Sequence, residues 1–188
     1  MHMARQSYTA KILVAGPVGA GKSTFVRTLS DTPFVDTDVA ASEEIGKLAT
    51  TVGIDFGTRN VDDLRLLLFG VPGQNRFDFM WEVSCEGAQG FVILVAADRP
   101  ASFIEAKRTL KFLRERLEVP VVIGITRTDL GDDWDFREVS AYLRVPLECI
   151  VNVDPRSEES CMEALGCLFE YITPRSSVMT IEESFSLV

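Results

Sequence analysis

The sequence predicts an α/β fold, a doubly wound and mostly parallel six-stranded sheet flanked by helices. Three observations carry this expectation. Several short apolar runs are continuous rather than alternating, as strands covered on both faces require. Segments with apolar residues at helical spacing lie between those runs. The first run also ends in a glycine-rich turn that opens a helix, a strand–turn–helix unit typical of this architecture.

In chain order, Lys11 to Ala15 (KILVA) reads as the first strand and Lys22 to Leu29 as the first helix. Asp55 to Val61 is expected to pair beside Leu64 to Phe69 (LRLLLF). Phe91 to Ala96 (FVILVA) and Val121 to Thr126 (VVIGIT) are further strands, and Cys149 to Val153 (CIVNV) is the last. Within Ser102 to Glu118, the residues Ala106, Leu110, Leu113 and Leu117 fall on one helical face. Within Glu158 to Ile172, a similar stripe is made by Met162, Leu165, Leu168, Phe169 and Ile172. No internal repeat or linker interrupts this pattern, so residues 8–172 read as one domain. Residues 173–188 read as a tail, either loose or a peptide for a partner.

Composition narrows the function. The 188 residues carry 19 Lys and Arg against 28 Asp and Glu, a formal charge of −9. That balance argues against a nucleic-acid grip and against a polybasic membrane anchor. No apolar run has the length of a membrane span, so no direct membrane insertion is expected. The four cysteines form no Cys-x-x-Cys pair and the one histidine is His2, which argues against a zinc site and against Ser-His or Cys-His nucleophiles. The same cysteine usage suits a reducing, cytoplasmic compartment.

The chemistry concentrates in Gly16-Pro17-Val18-Gly19-Ala20-Gly21-Lys22-Ser23, which matches G-x-x-x-x-G-K-[ST] between a strand and a helix. Glycines let the backbone approach phosphate, so the N–H groups of Gly19, Ala20, Gly21, Lys22, Ser23 and Thr24 can form an anion cradle at a helix N-terminus. Lys22 is expected to bridge the β- and γ-phosphates, with the Ser23 hydroxyl on Mg²⁺.

Further strings follow in order: Thr50 to Phe56 (TTVGIDF), Phe69 to Phe77 (FGVPGQNRF), Gly87 to Gly90 (GAQG), Asp98, and Thr126 to Asp129 (TRTD). Together they resemble the Ras-like small GTPases, from about Tyr8 to Ile172. The TVGIDF segment looks most like the Rab group. The VPGQ segment, with Asp154-Pro155-Arg156, is similar to bacterial MglA-type and conservon-type proteins. The resemblance implies a GTP/GDP switch with Mg²⁺ as cofactor. Thr51 would close over the γ-phosphate and metal, Gly73 would donate its N–H to the γ-phosphate, and Gln74 would orient the attacking water. Catalysis would thus rest on Gln74, Lys22 and Thr51, and metal binding on Ser23 and Thr51. Asp129 would accept the guanine N1–H and amino group, while the stem of Arg127 would lie along the base.

Four positions depart from the family pattern. Gly70 stands where most relatives carry a metal-holding aspartate. Val18 replaces a glycine and crowds the γ-phosphate, so slow hydrolysis is expected. Thr126 replaces the asparagine that braces the phosphate loop. Pro155 has no N–H for the guanine carbonyl, a role that a one-residue shift would pass to Val153 or Asp154.

Plainer readings compete. Thr51 also reads as a strand threonine, Gln74 as a turn residue and Asp129 as a helix cap. Lys107, Arg108, Lys111, Arg114 and Arg116 are either a solvated face or a dock for an acidic partner. The apolar Phe77, Phe79, Met80 and Trp81 suggest an effector surface at the switch loops, roughly residues 36–51 and 72–81. The resemblance suggests a Roadblock-type regulator. Arg59 and Arg76 are the candidate internal arginine fingers. The alternatives to a switch are a scaffold that holds its nucleotide permanently and a P-loop kinase or ATPase.

Overall fold

The computed structural model describes residues 8–32, 54–71, 84–130 and 134–172. Chain order there is β1 (Tyr8–Ala15), α1 (Lys22–Leu29), β2 (Asp55–Val61), β3 (Leu64–Gly70), β4 (Gly90–Ala96) and α2 (Ala101–Arg114). Then come β5 (Val121–Thr126), α3 (Phe136–Leu143), a 3₁₀ turn (Leu147–Cys149), β6 (Ile150–Asn152) and α4 (Glu158–Tyr171). The expected roles of Thr51, Gly73, Gln74 and Arg76, the two switch loops and the tail all fall outside the described residues.

The strands form one six-stranded sheet in the order β2-β3-β1-β4-β5-β6. All neighbours pair in parallel except β2 and β3, which are antiparallel. Continuous apolar strands work here because alternate side chains feed two separate cores. From β4, Phe91, Ile93 and Val95 join Phe103, Ala106, Leu110 and Leu113 of α2, with Val139 and Leu143 of α3. Val92 and Leu94 point the other way, to Phe25, Val26 and Leu29 of α1 and to Cys161, Ala164, Leu165 and Leu168 of α4. The central strands are thereby dry on both faces, as a doubly wound sheet requires.

Several elements differ from the sequence reading. β1 begins at Tyr8 because its parallel register with β3 runs from Tyr8–Leu64 onward. β6 loses Cys149 to the 3₁₀ turn before it. Helix α3 was not expected: its eight residues bury only Val139 and Leu143, too few to show a period. A cap signal was nevertheless present, since the Asp135 carboxylate accepts the Arg137 N–H at 2.8 Å.

The five basic residues of the Ser102 to Glu118 segment are exposed, and Lys107, Arg114 and Arg116 make local contacts. Arg114 donates to the carbonyls of Leu143 (3.3 Å) and Arg144 (2.6 Å) at the C-terminus of α3. Lys107 sits 4.0 Å above the Tyr142 ring, and Arg116 lies 3.9 Å from the Phe112 ring. The cysteines are packing residues. Burial pushes the Cys161 thiol up to about 12 and the Cys85 thiol up to about 11, which disfavours the thiolate at both.

Candidate functional site

Three loops leave the carboxyl ends of β1, β5 and β6 and meet at one cavity of about 490 Å³. Its walls are Gly19 to Thr24 from the first loop, Thr126 to Leu130 from the second and Val153 to Arg156 from the third. Ligands of open α/β sheets lie in this kind of crevice. The residues that the sequence reading assigned to phosphate and to base therefore share one wall system, although Lys22 and Asp129 are 107 positions apart.

The first loop is shaped for an anion. Gly16, Gly19 and Gly21 hold φ of 137°, 78° and 100°, conformations that a side chain would strain. A Cβ on Gly16 would also stand 2.3 Å from the Leu94 carbonyl oxygen. Helix α1 then begins on Gly21 with no side-chain cap and no acidic residue in its first turn. Helix α2 likewise has no side-chain cap, while α3 and α4 are capped by Asp135 and Ser157. The first-turn N–H groups of a helix have no intrahelical acceptor. At α1 the residues of this turn line the cavity, where an anion would satisfy their N–H groups.

The Lys22 ammonium folds back over this cradle and donates to the carbonyls of Gly16 (2.8 Å) and Pro17 (2.9 Å). Burial lowers its pKa, against the field of the Asp55 and Glu105 carboxylates, which raises it. An arriving phosphate would replace the two neutral carbonyl acceptors with charged ones.

Thr126 is fully buried. Its hydroxyl lies 3.0 Å from the Ala20 carbonyl and 3.2 Å from that of Val95, with one proton to serve either. The threonine thus ties the end of β5 to the phosphate loop even though the family's asparagine is missing. Thr126→Val keeps the shape and removes that bond. The expected loss is about 1–2 kcal/mol of stability, with the Ala20 carbonyl left short of a partner. Thermal unfolding of the ligand-free protein would register it as a lower Tm, and an unchanged Tm would mean that the hydroxyl braces nothing.

Arg127 stands at a positive φ of 57°. Its guanidinium is held by Asp98, Nη1 to Oδ2 at 3.0 Å, which fixes the stem beside the base-side wall. Arg99 also reaches Asp98, at 3.8 Å, and donates to the Val18 carbonyl at 3.3 Å. A Cβ on Gly19 would meet the Arg99 guanidinium at 2.6 Å. Asp98 and Arg99 therefore link the base-side loop to the phosphate loop, a role the sequence reading did not give them. The one available signal was a charged pair directly after a buried strand.

Asp129 is exposed, and its carboxylate lies 3.9 Å from Arg156. Arg156 itself is clasped by Asp154 at 2.8 Å and 3.1 Å, and those hydrogen bonds hold the Asp154 carboxyl below the usual range. Neither backbone donor proposed for the guanine carbonyl is idle. The Val153 N–H bonds the Ile125 carbonyl at 2.8 Å, and the Asp154 N–H bonds the Ser160 hydroxyl at 3.1 Å. Val153 and Asp154 line the cavity by position, while Pro155 packs its ring against Gly21, 2.7 Å from where a Cβ would be. Arg59 is likewise engaged, paired with Asp31 (3.1 Å) and with Glu158, so it is not presented as a finger.

Mg²⁺ fits a site of this composition. No group of three His, Cys, Asp or Glu side chains able to hold a metal occurs among the described residues. A nucleotide-bound Mg²⁺ needs no such cage, because phosphates and water supply most of its oxygens. The exposed Ser23 hydroxyl at the start of α1 is one protein oxygen of the right kind. No helix among the described residues is long and apolar enough to cross a membrane.

The chain is similar to several known proteins. Residues 34–170 match the family described as "Conserved hypothetical ATP binding protein", a span that starts after the phosphate loop. The uncharacterized protein MJ1339 of Methanocaldococcus jannaschii is 30% identical over 125 residues, covering 65% of this chain and 72% of that protein. The Ras-related protein Rab-32A of Dictyostelium discoideum is 28% identical over 140 residues, 67% of this chain but 58% of that protein. The Ras-related protein RABA2a of Arabidopsis thaliana is 23% identical over 180 residues, 93% of this chain and 76% of that protein. In three dimensions, the G domain of the T. maritima FeoB iron transporter superposes with a TM-score of 0.63. That likeness covers 88% of this chain and all of the FeoB chain at 18% identity, and so concerns the fold.

Proposed function

The chain belongs to the family described as conserved hypothetical ATP binding proteins; from its Ras-related relatives and G-domain fold we propose that it is a P-loop GTPase acting as a GTP/GDP-dependent switch. One observation carries the guanine reading. The phosphate cradle ahead of Lys22 and the carboxylate of Asp129 border the same cavity, so one nucleotide can span both. A carboxylate accepts two hydrogen bonds from the N1–H and amino group of guanine. Adenine presents an unprotonated N1 at the corresponding edge and has no such donor pair.

In this reading Gly19 to Thr24 hold the phosphates, Lys22 neutralises the β- and γ-oxygens, and Arg127 flanks the base. Mg²⁺ bound with the nucleotide supplies charge neutralisation at the phosphates, with Ser23 as one of its protein oxygens. Thr51 and Gly73 hold the switch loops to the γ-phosphate, and Gln74 orients water. Loss of the γ-phosphate releases those loops, and partners read the difference. Slow intrinsic hydrolysis that a regulator accelerates is proposed from Val18 standing in place of the family's glycine; its side chain is exposed on the phosphate loop.

The family description favours adenine instead, and titration calorimetry of the nucleotide-stripped protein with GDP and with ADP separates the two. GDP is expected to bind at least tenfold more tightly. Tighter ADP binding would remove the role given to Asp129.

A further inference from the structure

A guanine carbonyl needs a hydrogen-bond donor, and the loop after β6 has no backbone donor to give. The Val153 N–H goes to the Ile125 carbonyl and the Asp154 N–H to the Ser160 hydroxyl. The Arg156 N–H goes to the Asp154 carboxylate and the Ser157 N–H to the Asp154 carbonyl, both at 3.0 Å. Pro155 has none. The end of β5 offers N7 of the base nothing better, because the one Thr126 hydroxyl proton goes to the carbonyl of Ala20 or Val95. A guanine held by Asp129 would thus turn its O6 and N7 acceptors toward a wall without main-chain donors.

Side chains remain. Arg127 places its guanidinium on Asp98. Arg156 lines the same cavity as Asp129, with Nη2 3.9 Å from the Asp129 carboxylate. Asp154 accepts from Arg156 Nε at 2.8 Å and from Nη2 at 3.1 Å, a side-on clasp that fixes the plane of the guanidinium. A guanidinium has five N–H groups, so three stay free of the clasp, two on Nη1 and one on Nη2. Nη1 has no partner among the described residues, and Nη2 is too far from Asp129 to bond it. The loop beneath is anchored as well. The Thr28 hydroxyl donates to the Pro155 carbonyl at 2.7 Å, and the Pro155 ring lies against Gly21.

We propose that the free Nη1–Nη2 edge of Arg156 reads O6 and N7 of guanine, a side chain supplying the contact that no backbone N–H of its loop can make. This inference rests on the guanine reading given above. On that reading N1–H and the amino group meet Asp129, and O6 is the next group along the ring. A carboxylate and a guanidinium that are neighbours in the cavity then meet groups that are neighbours on the base. The fork of an arginine matches O6 and N7 of guanine together, whereas adenine sets its own amino group there, donor against donor. Asp154 is the positioning residue: it holds the fork before the base arrives, so less side-chain freedom is lost on binding.

The test compares wild type with Arg156→Met, which keeps the length of the side chain and removes every donor. Titration calorimetry of the nucleotide-stripped proteins uses GDP, ADP, 7-deaza-GDP, which lacks the N7 acceptor, and 6-thio-GDP, whose sulfur is a poor acceptor at the O6 position. Wild type is expected to bind GDP roughly tenfold or more tightly than either guanine analogue. In Arg156→Met the affinity for GDP should fall to the level of the analogues and the preference among the three should vanish, while ADP binding does not weaken. A merely structural role would instead weaken all four ligands alike and keep the preference. Arg156 is exposed, so the ligand-free Tm should hold; if the methionine variant melts early, Arg156→Ala takes its place. A preference for GDP over both analogues that survives in the variant, or that wild type lacks, overturns the proposal and leaves the guanine reading standing. Tighter binding of ADP than GDP by wild type removes the guanine reading, and the role of Arg156 with it.

Discussion

Asp129→Asn is expected to cut GDP affinity by roughly 100-fold or more while leaving the fold intact. In the complex the carboxylate accepts two hydrogen bonds from the base edge, and hydrogen bonds to a charged group are worth about 1.5–3 kcal/mol each. The amide keeps one acceptor and presents its NH₂ to the guanine amino group, donor against donor. Xanthine carries a carbonyl where guanine carries that amino group, so xanthosine diphosphate should gain affinity in the same variant. Asp129 is exposed in the ligand-free chain, and its contact with Arg156 is a long 3.9 Å, so the unliganded Tm should hold. Calorimetry with GDP, ADP and xanthosine diphosphate reads all three effects. Unchanged GDP affinity would place the base elsewhere.

Lys22→Met should have an effect of the same order by a different route. Methionine preserves the length of the side chain and removes the ammonium. The bound phosphates then face the cradle without their cation, and removing one partner of such a desolvated pair costs about 3–5 kcal/mol. The ligand-free protein loses little, because burial already opposes the charge on Lys22 and only two backbone carbonyls depend on it. Differential scanning fluorimetry separates these terms. Wild-type Tm should rise with GDP as binding to the native state dictates. The variant should melt near the ligand-free wild type and ignore GDP at the same concentration. A GDP-dependent rise of wild-type size in Lys22→Met would show that the lysine does not face phosphate.

Much of the fold was readable from patterns of a few residues. FVILVA and VVIGIT announce strands buried on both faces because neither offers a polar side for water, and the stripe of Ala106, Leu110 and Leu113 announces the helix that covers them. Helix α3 was hidden for the converse reason, since two buried residues in eight define no period. The candidate site divides along the same line. Glycine spacing and Lys22 lie within eight consecutive residues, so the local chain states their chemistry. The contact of Thr126 with Ala20 spans 106 positions, and the family pattern registered only that the bracing asparagine is replaced. In the fold the loop comes within hydrogen-bond reach of the shorter side chain.

By itself the sequence determined the phosphate loop, the alternation of strands and helices, and the order of the loops that could meet a nucleotide. These depend on backbone freedom at glycine and on side-chain period, which are properties of neighbours along the chain. Only the tertiary structure decided what stands against Gly16, which N–H groups near Pro155 are already bonded, and that Asp98 and Arg99 join two loops. Those outcomes depend on the register and approach of segments distant in sequence. A space too small for a Cβ exists only once two strands are paired.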